Sequence, residues 1–159
     1  MLNKTLLKMA LIGLTSVSSF SAMANEAANI LIENPFAREV PPTAMASASF
    51  MTLKNNSDQD IKLVSANSTV AKKVELHEHT HDNGVMKMRQ IPNIVIPAHG
   101  ETALQPGGLH IMLINLNQGI KAGDQVKVDL TFEDGSQKTV EMPVKSLMGM
   151  GGMKMHMQH

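Results

Sequence analysis

The chain has 159 residues, with fourteen methionines, seven histidines and no cysteine. Without a thiol it cannot form disulfides, iron–sulfur clusters, zinc–thiolate sites, thiol nucleophiles or a cysteine-ligated blue-copper centre. Fourteen basic residues balance fourteen acidic ones, which argues against nucleic acid, whose binding rests on clustered cations that neutralise phosphates.

The N-terminus reads as an export signal. Lys4 and Lys8 precede the apolar run Met9-Ala10-Leu11-Ile12-Gly13-Leu14, and small and hydroxyl residues lead to Ala22-Met23-Ala24. That run is well short of the ~20 residues that span a bilayer, and no later segment is long enough to span. The expected organisation is therefore a signal peptide over 1–24, cleaved after Ala24, one domain over 25–147 and a tail over 148–159. The mature protein is expected to be soluble and periplasmic, with no membrane span after signal removal. Loss of Lys4 and Lys8 leaves twelve cations against fourteen carboxylates.

Turn chemistry punctuates the mature chain at Pro41-Pro42, Asn55-Asn56, Asn83-Gly84, Pro106-Gly107-Gly108, Gly123-Asp124 and Asp134-Gly135. Turns about every 8–12 residues mean many short strands. The strands fall near 29–38, 46–54, 61–67, 72–81, 85–91, 94–97, 101–104, 109–115, 125–132 and 138–143, with no convincing amphipathic helix. The fold class is all-β, a sandwich.

Two hairpins predict a register. A two-residue Asn83-Gly84 turn of type I′ sets Leu76 opposite Ile91 and Glu78 opposite Arg89. In the last hairpin a three-residue loop Asp134-Gly135-Ser136 sets Leu130 opposite Val140 and Val128 opposite Met142.

The other face of the first hairpin carries His77, His79 and His81 on one strand and Met86 and Met88 on its partner. His79 faces Met88 directly, and His77 lies on the diagonal at roughly 7–8 Å, still within side-chain reach. Either could join Met88 at a metal. Further on, Leu109, Ile111 and Leu113 alternate with His110 and Met112, which therefore share the opposite face, their Cα atoms ~6.6 Å apart. Thioethers are soft and do not titrate, so they favour Cu(I), and neutral imidazole suits copper generally. Two methionines and two histidines make a Cu(I) set that survives an oxidising compartment, where paired cysteines would be lost to disulfide.

His77, ten residues, Met88, twenty-one residues, then His110-Ile111-Met112 resembles the His-x10-Met-x21-His-x-Met signature of the periplasmic PCu(A)C copper chaperones. The resemblance extends over most of the mature chain, including Val85-Met86-Lys87-Met88-Arg89 and Pro106–Leu113. It implies a cupredoxin-like Greek-key β-sandwich, with Cu(I) bound by His77, Met88, His110 and Met112, and it tips the choice between the two histidines to His77. It also implies delivery of copper to the CuA centre of cytochrome c oxidase, on subunit II, often alongside a Sco-type protein. One departure is His79, which stands where many relatives carry methionine. With His81 and Met86 it is a candidate secondary ligand for Cu(II) or zinc.

The tail adds Met148, Met150, Met153, Met155, His156, Met157 and His159 among three glycines. A segment with so little aliphatic surface is expected to be flexible without metal and to act as a secondary capturing arm, its histidines suiting Cu(II) and its methionines Cu(I). The expected function is thus a copper carrier without catalytic turnover. Copper storage or resistance is the alternative. A copper/zinc superoxide dismutase-like enzyme is a weaker one, since it needs more imidazoles and has no use for Met88 and Met112.

Overall fold

The computed structural model describes residues 25–147; the expected signal peptide and the Met/His-rich tail lie outside the described residues. One helical turn, α1 (Glu26–Asn29), is capped by the Asn25 side chain accepting from the Ala28 N–H, a local element the strand reading did not anticipate. Ten strands follow: β1 (Ile30–Arg38), β2 (Ala46–Asn55), β3 (Ile61–Asn67), β4 (Ala71–Asp82), β5 (Val85–Gln90), β6 (Ile94–Ile96), β7 (Glu101–Leu104), β8 (His110–Leu116), β9 (Gln125–Phe132) and β10 (Gln137–Lys145). Each matches an expected strand to within two residues at either end, because alternation and turn residues are local signals.

The strands hydrogen-bond in the order β5-β4-β8-β2-β1-β10-β9-β3-β6, with β7 added to β2. The junction of β1 and β10 is parallel; the other strand pairs are antiparallel. This is the cupredoxin-like all-β architecture. Met51 and Leu53 of β2, Leu76 of β4 and Ile111 and Leu113 of β8 share one apolar cluster with Leu63 of β3, Val128, Leu130 and Phe132 of β9 and Met142 of β10. Burying each such side chain stabilises the fold by about 1.5–3 kcal/mol.

Pleating then dictates what the opposite face of β4-β8-β2 carries. On it lie His77, His79, His110 and Met112, floored by Ala48 and Phe50, which are buried but stand outside the main core.

The first hairpin has the expected register, with Glu78 opposite Arg89 and His79 opposite Met88, and both turn residues, Asn83 and Gly84, have positive φ. The last hairpin corrects the expectation. Val140 faces Val128, Met142 faces Val126 and Leu130 faces Lys138. Phe132 donates its N–H to Ser136 O at 2.9 Å, so the loop is Glu133-Asp134-Gly135, one residue earlier than expected. A three-residue hairpin loop needs its last residue in the left-handed region, and that residue is Gly135, at φ +82°. The slip is by two positions, so every side chain keeps its face and the core was still read correctly.

Candidate metal centre

Strand β8 lies between β4 and β2, setting His110 opposite His77, and Met112 opposite both Glu75 and Ala48. Strand β5 adds Met88 beside His79. His79, Met88, His110 and Met112 line a cleft of about 100 Å³ with Ala48 and Phe50, and Arg38, Pro106 and Gly107 at its rim. Ala48 is small enough to leave that space, while Phe50, its ring tilted against that of Phe36 at 5.2 Å between centroids, closes one side. The His79 and His77 rings stand 5.0 and 5.6 Å from the His110 ring, centroid to centroid.

The rim turn orients two of these histidines. Gly107, at φ +83°, takes the third position of a turn closed by the Gly108 N–H donating to Gln105 O at 2.9 Å, a place a type II turn reserves for glycine. The turn presents Gly108 O to the His79 backbone N–H at 3.3 Å and to His110 Nδ1 at 3.1 Å. A carbonyl only accepts, so His110 Nδ1 carries the proton and its Nε2 keeps a free lone pair. That Nε2 is buried and has no hydrogen-bond partner. An unpartnered polar atom under a 2% exposed residue costs stability unless something fills the vacancy in its bonding. A soft metal ion is the kind of group that does.

His77 is oriented from the other side. Its Nε2 lies 2.7 Å from Glu75 Oε2, and Glu75 is also paired with Lys73. The Lys73 ammonium, with the His77 ring, holds the Glu75 carboxyl below its ordinary range, so Glu75 accepts and His77 Nε2–H donates. His77 Nδ1 is left buried and unpartnered, as is His79 Nδ1. A carboxylate behind an imidazole is how proteins commonly fix a metal-binding histidine. Glu75 was missed in the sequence; the one signal was its place two residues before His77, on the same strand face.

Of the candidate ligands, the structure thus gathers His79, Met88, His110 and Met112 around one cleft and sets His77 beside them. His81 and Met86 face each other nearer the hairpin tip, outside the cleft lining. Met148, Met150, Met153, Met155, His156, Met157 and His159 lie outside the described residues. Among the described residues, no three of His, Cys, Asp and Glu are arranged to hold a metal by themselves.

Two expectations follow from this geometry. Glu75→Ala should weaken metal binding at the cleft about tenfold, the lower end of what such supporting carboxylates contribute, while Glu75→Gln, which keeps an acceptor, should lose less; competition titration with a metal chelator measures both. Burial holds the His110 ring below its ordinary pKa of 6.5, so the unfolded chain takes up a proton that the folded chain refuses. Stability of the copper-free domain should therefore fall as pH drops below about 6.5 and be regained above it. Urea midpoints at several pH values test this, and His110→Leu should flatten that part of the slope.

Residues 30–144 match the LpqE-like lipoprotein family. A Leifsonia xyli subsp. xyli protein named as a lipoprotein, Lxx21020, is 38% identical over 104 residues, covering 65% of this chain. The match spans 63% of that protein's length, just under two thirds. The solution structure of the Cu(I) form of DR1885 from Deinococcus radiodurans is 36% identical, covers 78% of this chain and 83% of its own, and superposes with a TM-score of 0.61. The copper-bound PCuAC domain of PmoF2, at 21% identity and a TM-score of 0.62 over 74% of this chain and 93% of its own, shares the fold.

Proposed function

We propose that this chain, which belongs to the LpqE-like family, the PCuAC family, carries copper as Cu(I) on His77, Met88, His110 and Met112 and hands it to a partner by ligand exchange. The observation that carries this reading is the meeting of two thioethers with His110 Nε2, a buried nitrogen that has a free lone pair and no partner. Family spacing and the Glu75 hydrogen bond support His77 as the fourth ligand. A solved relative in its Cu(I) form supports the metal and its oxidation state, and the lipoprotein relatives support export to the periplasm. No helix among the described residues is long and apolar enough to cross a membrane.

Met88 is half exposed, at 51%, so one ligand of the set is open to an incoming donor. That suits transfer better than storage, which favours a closed site, and the donor set has too few imidazoles in metal-holding array for a dismutase. We assign the acceptor as the CuA centre on cytochrome c oxidase subunit II, directly or through a Sco-type protein, and no catalytic turnover. The tail 148–159 serves as a second, weaker copper-capturing arm with room for Cu(II). Its removal should leave one tight Cu(I) per chain, abolish extra Cu(II) uptake and slow loading at limiting copper, because a tether raises effective ligand concentration to roughly the millimolar range. Unchanged stoichiometry and loading rate would remove the arm from the mechanism.

The test of the whole reading is anaerobic Cu(I) titration of residues 25–159 against a competing chelator, with X-ray absorption at the copper edge. A tight site with mixed sulfur and nitrogen neighbours is expected. A shell of nitrogen and oxygen alone would overturn it.

A further inference from the structure

Strand β5 ends the sheet on one side, and all six of its residues are exposed. Which of its backbone groups are free follows from the register. Ile91 N–H donates to Leu76 O at 2.9 Å, and these residues lie opposite one another in the register that pairs His77 with Gln90. In an antiparallel pair, hydrogen-bonded positions recur at every second residue, so Glu78/Arg89 and Thr80/Lys87 are bonded pairs. Met86, Met88 and Gln90 occupy the alternate positions, and their N–H and C=O groups point away from β4 to the open edge. The His79 N–H agrees with this, being directed to Gly108 O on the β8 side.

The residues with free outward backbone are thus the same ones whose side chains stand on the metal-binding face. A strand added to β5 would place its own side chain opposite Met88, on that face, with Cβ atoms roughly 4.5–5.5 Å apart. We infer that the β5 edge is the docking strand for copper exchange: an acidic partner adds an extended segment there and presents a methionine or cysteine sulfur to the copper held by Met88. This rests on the carrier reading above. The exchange forms one Cu–S bond to the partner as the Cu–S bond to Met88 breaks. Cu(I) stays Cu(I), and a cysteine donor releases its proton to water.

Charge selects the occupant. Arg38 at the cleft rim and its strand neighbour Lys145 stand together on β1 and β10, and neither has a carboxylate partner among the described residues. They suit an acidic surface. A second copy of the chain fits the edge poorly, since two-fold pairing centred on Met88 would set Lys87 opposite Arg89 of the second copy, and like charges directly opposite are destabilising. Lys87 and Arg89 also guard the edge against such self-pairing, a common use of charge on edge strands.

The probe is a capped peptide of about nine residues, alternating glutamate and threonine around one methionine, and the same peptide N-methylated at alternate residues so that its strand hydrogen bonds are lost. Added to isotope-labelled protein, the first should shift the amides of Met86, Met88 and Gln90 and slow their exchange, leaving those of Lys87 and Arg89 little changed; the second should bind at least tenfold more weakly, about 1.4 kcal/mol. Gln90→Pro removes an outward N–H and no bond to β4, which an edge strand tolerates. It should leave Cu(I) affinity within about twofold while slowing transfer to a cysteine version of the peptide at least tenfold. Equal binding by the N-methylated peptide, no shift at millimolar peptide, unaltered transfer in Gln90→Pro, or concentration-dependent self-association through the same amides would each overturn the proposal. Cu(I) titration of the same samples tests the carrier reading separately: strand addition to the copper-free protein survives if that titration fails.

Discussion

Replacing either His110 or Met112 by alanine should weaken Cu(I) binding at least tenfold, about 1.4 kcal/mol, with the fold retained. The two residues project from β8 on the face opposite Ile111 and Leu113, which do the packing, so their loss opens the cleft rather than the main core. His110 is the more instructive case. Its Nε2 is buried without a partner, and removing an unsatisfied atom recovers part of what the lost ring packing costs. Copper-free His110→Ala should therefore unfold at nearly the wild-type urea concentration at pH 7.5 while its Cu(I) affinity collapses. Met112 lies over Ala48, and its alanine variant trades a soft donor for empty space. Chelator competition measures affinity, and urea unfolding measures the fold. Wild-type affinity in both variants would take β8 out of the metal site.

The strands were legible because their signals are local. Val126, Val128, Leu130 and Phe132 announce a face by alternation alone, and Asn83-Gly84 specifies both a turn and a register. The last hairpin shows where this ends: Asp134-Gly135-Ser136 and Glu133-Asp134-Gly135 are both plausible three-residue loops, and only the need for Gly135 at the left-handed position separates them. Assembly of the site is not local. Alternation put His110 and Met112 on one face and the hairpin put His79 and Met88 on another, but nothing in either segment says that β8 lies beside β4. In the sequence that union rested on a resemblance in spacing; in the structure it is a register, His77 opposite His110. Glu75, Ala48 and Phe50 escaped notice for a related reason. Ala48 and Phe50 carry no metal chemistry and Glu75 is not a soft donor, and all three matter through what they support: a hydrogen bond to His77, room for Met112 and a wall beside His110.

Between the two histidines of β4, the larger loss should come from His77. His77→Ala should weaken Cu(I) binding at least tenfold, and His79→Ala should do much less. Proximity alone favours the reverse, since His79 lies directly opposite Met88 and lines the cleft. Orientation favours His77. Glu75 takes its Nε2–H at 2.7 Å, and that carboxylate, held below its ordinary range chiefly by Lys73, fixes the ring with Nδ1 as the free donor. The side chain of His79 has no such support, so on binding copper it would have to give up rotamer freedom that His77 has already lost on folding. Supporting carboxylates of this kind commonly add tenfold or more to metal affinity. The two contributions are separable in one series: if His77 is the ligand, Glu75→Ala should weaken binding in the wild-type and His79→Ala backgrounds alike and have little further effect in His77→Ala. Equal losses in His77→Ala and His79→Ala, with Glu75→Ala additive to both, would show that His79 binds the metal and that the carboxylate serves only to hold β4.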